Sequence, residues 1–288
     1  FMGATMRYAT LVGPDKKAYF CRIKDGLAEP IGRAYERPGL DPLRDLLEAG
    51  RNPARVRPVR KPFPLKGVRY KPAVTAPSKV IAIGLNYLNH AKETGNDVPK
   101  APMSWCKYTS SLIGNGELIK YRRKDSTKID YECELAFVIG KRARNVKRKD
   151  ALKYVFGYTC CNDVTARDHQ FAEMQFARSK SFDTFTPLGP TIVTTDEIPN
   201  PQKLMIRTRL NGKVMQEEST SDMIFGCAKL IEYLSRFMTL EPGDVVTTGT
   251  PSGVGVARKP PVYMKNGDTV EIEIDGIGTL KNRVRVIK

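Results

Sequence analysis

The chain has 288 residues, 41% of them hydrophobic and 27% charged, which excludes a disordered protein and leaves enough apolar material for a sizeable core. No stretch approaches the ~18 consecutive apolar residues of a membrane span, and the start lacks a signal peptide's basic and apolar regions, so a cytoplasmic protein with no membrane partner is expected. The net charge of +17 invites a nucleic-acid reading, but the surplus is spread along the chain and no zinc-finger, helix-turn-helix or RNA-binding signature accompanies it. A solvated basic surface that attracts small anions, with no nucleic-acid partner, is the expectation.

Phe1 to Thr5, ahead of Met6, read like an expression scar. Tyr8 to Val12 and Ala18 to Cys21, joined by Gly13-Pro14-Asp15, predict a β-hairpin. A short helix follows from Pro42 to Ala49, closed by Gly50. From Arg51 to Pro77 prolines recur at 53, 58, 62, 64, 72 and 77, a density that no helix or central strand tolerates. This segment predicts an extended linker, so a boundary near residue 75 divides a small N-terminal domain (1–75) from a larger one (76–288).

Beyond that point strands are predicted at Val80 to Gly84, Asp130 to Ile139, Thr191 to Val193 and Met205 to Leu210, then at Val245 to Thr248 and Thr269 to Ile274. A helix is predicted over Asp222 to Phe237, with Ile224, Cys227, Ala228, Ile231 and Leu234 at helical spacing. Strands do not alternate regularly with helices, which disfavours a doubly wound sheet or a (β/α) barrel and favours a β-dominated α+β fold. The cysteines at 21, 106, 133, 160, 161 and 227 form no C-x-x-C pair, as expected of free thiols in a reducing compartment.

The chemistry centres on Tyr131-Glu132-Cys133-Glu134-Leu135. Side chains alternate along a strand, so Glu132 and Glu134 share a face while Cys133, Leu135, Phe137 and Ile139 form the other. Paired carboxylates repel unless a cation or proton lies between them, and such hard oxygen ligands suit Mg2+, Mn2+ or Ca2+; a solvent-facing pair on an edge strand is the alternative. Asp163, where an apolar strand runs into a charged turn, offers a third carboxylate. Zinc is disfavoured, because neither histidine has a Cys or His partner at ligand spacing.

His90 precedes Glu93 by three positions, so on a helix beginning near Tyr87 the carboxylate can orient the imidazole as a general base; an isolated surface pair is the bland reading, and His169 is a rival. Arg167, Gln170 and Lys180 follow Asp163 and can bind a substrate carboxylate or an enolate oxygen, or be surface charge. The glycine-rich run Gly249 to Gly255 lacks the Gly-Lys-Ser/Thr ending of a phosphate loop, and no G-x-S-x-G elbow exists.

Together these segments resemble the fumarylacetoacetate hydrolase family from about Lys79 to Val284. The carriers are Gly84-Leu85-Asn86-Tyr87 with His90 and Glu93, Asp130 to Leu135, Gly157 to Asp168, Ser179 to Asp183 with Pro187 to Pro190, Pro242-Gly243-Asp244, and Thr248 to Pro251. The resemblance implies a mixed β-sandwich roll, a homodimer, and a divalent metal, Mg2+ or else Mn2+ or Ca2+, on Glu132, Glu134 and Asp163. It also implies a catalytic His90–Glu93 dyad on a mobile lid, with Lys180, Arg167, Gln170 and Thr250 facing a small anionic 2-oxo acid and Lys107 falling near a family lysine. The leading expectation is a metal-dependent hydrolase or lyase that cleaves a carbon–carbon bond in an acylpyruvate-type diketo acid or decarboxylates oxaloacetate through an enolate. An isomerase or dehydratase using the same site is the first alternative, and a non-enzymatic basic anion-binding module is a distant one.

Overall fold

The computed structural model describes residues 6–33, 40–173 and 175–288, so the expected scar at 1–5 lies outside the described residues. Arg7–Val12 and Ala18–Lys24 form the expected hairpin, and Leu27–Arg33 adds a third antiparallel strand. Helix α1 (Pro42–Glu48) is capped by Asp41, whose carboxylate accepts from the backbone N–H groups of Leu43 and Arg44. Gly50 follows the last turn at φ +66°, where a residue without Cβ carries no steric cost.

Short pieces of the proline-rich segment return to this layer: Phe63–Pro64 pairs with Leu27–Arg33, and Arg69–Tyr70 pairs with Arg7–Val12. The layer is continuous with the rest of the protein, because Arg7 and Tyr8 pair with Val193 and Ile192 of the strand Thr186–Thr194. From there the large sheet runs through Val155–Asn162, Cys133–Ile139, Val245–Thr247, Val80–Gly84 and Met103–Lys107. Val245–Thr247 and Val80–Gly84 run parallel, so the sheet is mixed.

A second sheet of five strands orders Lys213–Ser219, Met205–Leu210, Thr269–Ile274, Gly278–Ile287 and Leu118–Arg122. Between the sheets, Leu135, Phe137 and Ile139 pack with Ile206, Val270 and Ile272. On the other side of the same strand, Ala136 and Val138 pack with Tyr8, Phe20, Leu43 and Ile192. Cys133–Ile139 is therefore an interior strand buried on both faces, where a carboxylate has no access to bulk water.

The helix expected over Asp222–Phe237 is shorter. The helix itself spans Cys227–Phe237, and the preceding residues are drawn off by Asn86, whose backbone and side-chain oxygens accept from the N–H groups of Ile224 and Phe225. Cys227, Leu230, Ile231 and Leu234 still form its buried face. All six cysteines are unpaired, and only Cys106 is exposed. Among the described residues no helix is long and apolar enough to cross a membrane.

Candidate active site

Glu134 is the second residue of the interior strand, Glu132 lies just before it, and Asp163 follows the neighbouring strand Val155–Asn162. The two chain segments are tied at this point: Asp163 N–H donates to the Glu132 carbonyl (3.0 Å), and the Asn162 side-chain oxygen accepts from Glu132 N–H (3.1 Å). The three carboxylates each place an oxygen within 4.8 Å of the others, and they are buried, Glu132 at 5%, Glu134 at 1% and Asp163 at 0% exposure. The solvent-facing alternative for the glutamate pair is thereby excluded.

Three cations surround this trio. Lys180 Nζ donates to Glu132 Oε2 (2.7 Å), Asp163 Oδ2 (2.9 Å) and Thr165 Oγ1 (2.8 Å). Lys107 Nζ donates to Asp163 Oδ1 and to the Phe185 carbonyl. Arg167 bridges Asp130 Oδ2 through Nε and Glu132 Oε1 through Nη2, both at 2.8 Å.

Counting Asp130, four carboxylates face three cations, and the unbalanced charge falls at Glu134. Burial raises the Glu132 carboxyl, but Lys180 and Arg167 more than offset it and hold the group down at about 2. Glu134 moves the other way: burial, then the charges of Asp163 and Glu132, push it well above the ordinary carboxylate range. Its backbone donor is Gly249 N–H, at 2.9 Å. A buried set of hard oxygen donors with one uncompensated negative charge is what a divalent cation fits. Glu132, Glu134 and Asp163 are the residues that would hold it.

Across the cavity, helix α2 (Leu88–Glu93) carries the dyad. His90 Nδ1 lies 3.1 Å from Glu93 Oε2, and the other Glu93 oxygen accepts from Gly253 N–H (2.8 Å). His90 and Glu93 line one cavity of about 650 Å³ together with Glu132, Glu134, Arg167, Gln170 and Thr250. Ile83, Trp105, Phe171 and Phe176 form its apolar wall.

Lys180 and Lys107 are not among the lining groups; they sit beneath the floor, with their ammonium groups engaged by the carboxylates. Thr250 Oγ1 donates to the Cys133 carbonyl (3.0 Å) and so closes the glycine-rich loop onto the interior strand. The glycines there serve packing: a Cβ on Gly249, at φ +88°, would meet Asn86 Cβ at 2.8 Å. His169 is turned away, to Glu173 and the Asp125 carbonyl.

Three supporting residues escaped the sequence reading. Asp130, which like Asn86 enters the sequence analysis only within a motif, accepts from Arg167, Tyr131 N–H, Gly255 N–H and Val256 N–H. Asn86 donates to the carbonyls of Phe225 and Thr248. Gln216, on a strand of the second sheet, accepts from Cys133 N–H (3.0 Å) and Thr208 Oγ1 (2.7 Å) and donates to Thr250 Oγ1 and the Pro251 carbonyl (both 2.8 Å). Position 216 carries no signal of this role in the sequence, since Cys133, Thr250 and Pro251 are far from it along the chain.

The class defined here is a mixed β-roll in which a buried acidic trio and a histidine–glutamate dyad meet at one cavity. Residues 79–285 match the family model for the fumarylacetoacetate (FAA) hydrolase C-terminal domain, and the chain belongs to the fumarylacetoacetate hydrolase family. It is 48% identical over 213 residues to the mitochondrial oxaloacetate tautomerase fahd2 of Xenopus laevis, covering 73% of this chain and 66% of that protein. To the oxaloacetate tautomerase YisK of Bacillus subtilis it is 45% identical over 225 residues, 77% of this chain and 75% of the other. Among solved structures it resembles the fumarylacetoacetate hydrolase of Exiguobacterium antarcticum, with TM-score 0.86 and 36% identity, over 98% of this chain and 100% of that one. The relatives are named as enzymes, and the family is one of divalent-metal-dependent catalysts.

Proposed function

We propose that the chain is a tautomerase that interconverts the enol and keto forms of a short 2-oxo diacid, oxaloacetate being the case that the named relatives point to. The observation that carries this reading is the His90–Glu93 pair lining one cavity with Glu132 and Glu134 of the acidic trio. Tautomerisation needs one proton moved between the 2-oxygen and the third carbon, with no bond between heavy atoms made or broken.

When bound by Glu132, Glu134 and Asp163, a divalent cation, Mg2+ or Mn2+ with Ca2+ also suited to the oxygen donors, supplies Lewis-acid stabilisation of an enolate oxygen. Glu93 accepts a hydrogen bond from His90 Nδ1–H, which leaves the unprotonated Nε2 as the base. That nitrogen takes the enol hydroxyl proton, and the imidazolium, stabilised by Glu93, delivers a proton to the third carbon. Gly253 N–H holds the second Glu93 oxygen, so the carboxylate keeps one orientation through the transfer. Arg167 Nη1 donates to the Gln170 side-chain oxygen (2.8 Å), which leaves the Gln170 amide nitrogen as a donor for the distal carboxylate.

The hydrolase or lyase reading uses the same groups and draws on the likeness to the Exiguobacterium hydrolase. Product analysis separates the two. Enol oxaloacetate mixed with the metal-loaded protein is expected to give keto oxaloacetate faster than buffer with metal alone, with no excess pyruvate by proton NMR. Pyruvate formed at the rate of enol loss would overturn the tautomerase assignment in favour of carbon–carbon cleavage.

A further inference from the structure

A second cavity, of about 640 Å³, shares no lining residue with the active site. Its walls carry Lys16, Lys17, Arg69 and Lys71 against a single carboxylate, that of Glu117. We propose that this cleft binds a multivalent oxyanion, the chemistry shared by a polyphosphate and a tricarboxylate.

The cations are held on paired backbone. Gly13 N–H donates to the Lys17 carbonyl (2.8 Å) and Lys16 N–H to the Gly13 carbonyl (2.9 Å), which fixes the hairpin turn. Arg69 pairs with Val12, and Lys71 N–H donates to the Thr10 carbonyl (2.9 Å). The opposite wall, the turn at 115–117, is pressed against this strand because position 114 is glycine: a Cβ there would lie 2.5 Å from the Lys71 carbonyl carbon. Asn282 anchors the turn by donating to the Gly114 and Glu117 carbonyls (2.9 and 2.8 Å).

The nearby acids are already engaged. Glu117 accepts from Lys71 Nζ (3.2 Å) and from Gly114 N–H (2.7 Å). Asp15, on the hairpin turn, is taken by Tyr19 and Arg60. Among the described residues no carboxylate pairs with Lys16, Lys17 or Arg69. Like charges converging on one concavity repel each other and attract counter-charge, and an anion with several charges spans the walls where acetate or chloride meets only one cation.

The test is calorimetry on the full chain without added divalent metal, at ~0.15 M salt, with pyrophosphate and citrate as probes and acetate as the monovalent reference. Saturable one-to-one binding of pyrophosphate or citrate is expected, with none for acetate; whichever binds tighter identifies phosphate or carboxylate as the natural group. Lys17→Ala with Arg69→Ala should weaken binding roughly tenfold or more. Lys147→Ala with Lys149→Ala, which removes the same charge elsewhere, should leave it unchanged, and neither pair should alter tautomerase activity. Should the first pair lose its circular dichroism signature, Lys16→Asn with Lys17→Ala replaces it, since asparagine tolerates the φ of +65° at position 16. Equal weakening by cleft and control variants, or no saturable binding, would overturn the proposal. Because the readout is binding, its failure leaves the tautomerase reading standing.

Discussion

The floor of the active site and the dyad facing it are built on opposite terms. The floor lies on an interior strand, every carboxylate is buried, and Lys107, Lys180 and Arg167 are locked onto it by ion pairs. The dyad rides on a helix of six residues, and its side chains keep 12% and 21% exposure. Charge that must stabilise an enolate works best where water is excluded and nothing reorganises, whereas a base that exchanges protons needs access to substrate and solvent. The two halves should therefore fail separately.

The largest effect is expected at Glu134. Glutamine there keeps the shape and removes the uncompensated charge, so the metal-induced rise in thermal stability should vanish and activity should fall at least about 10³-fold. In the unsubstituted protein, metal at a hundredfold excess over its Kd should add about 2.7 kcal/mol of stability. Its pH dependence follows from the raised Glu134 carboxyl: metal binding requires the ionised form, so the increment should shrink as pH falls and protons compete. Without metal the sign is reversed, because ionisation of Glu134 is disfavoured in the fold and costs stability as pH rises above its unfolded value. A Glu134→Gln protein that still gains thermal stability from Mg2+ would break the assignment of the floor.

His90→Ala should cost about 10²- to 10⁴-fold in rate while leaving the metal-induced stabilisation intact. Both measurements on one preparation sharpen the contrast. If the variant loses metal binding as well, floor and dyad are a single unit. Gln216→Met comes next: it strands Cys133 N–H, the Thr208 hydroxyl and the Pro251 carbonyl, a loss of about 2–4 kcal/mol by chemical denaturation, with a several-fold smaller effect on rate than His90→Ala.

These expectations differ in how far they were legible in the chain. Alternation brings Glu132 and Glu134 together, although the strand expected over Asp130–Ile139 is broken at Tyr131–Glu132 and begins only at Cys133, and helical spacing pairs His90 with Glu93, because both patterns are local. The end of the strand Val155–Asn162 supplies Asp163 as the third carboxylate by the same kind of local pattern. What alternation did not reveal is that the strand is covered on both faces, which depends on Arg7–Val12 crossing from the N-terminal segment to pair with Thr186–Thr194. Nor did it show that Lys180 and Lys107 point beneath the floor, or that Asn86 delays the helix Cys227–Phe237 through a contact 139 positions away. These are contacts between distant segments, and no window of sequence contains both partners.

The smallest effect tests how the floor is joined to its surroundings. Helix α3 (Arg167–Glu173) carries Arg167 and Gln170 into the site, and His169 on its outer side bridges Glu173 Oε1 (3.0 Å) and the Asp125 carbonyl (2.6 Å). The hydrogen bond to Glu173, then that to Asp125, raises the imidazole above 6.5, and only the protonated ring donates to both. A raised folded value means that this anchor is fully present below pH 6.5 and is lost as pH climbs through the folded value. Melting temperatures of the parent and His169→Gln proteins should therefore differ most at pH 6 and converge toward pH 8, by a degree or two given the exposure of the site. If loosening of α3 reaches Gln170, KM should rise over the same interval in the parent alone while kcat holds. A flat difference in melting temperature would mean that α3 is held by its buried Arg167 end, and that the outer anchor adds nothing to the floor.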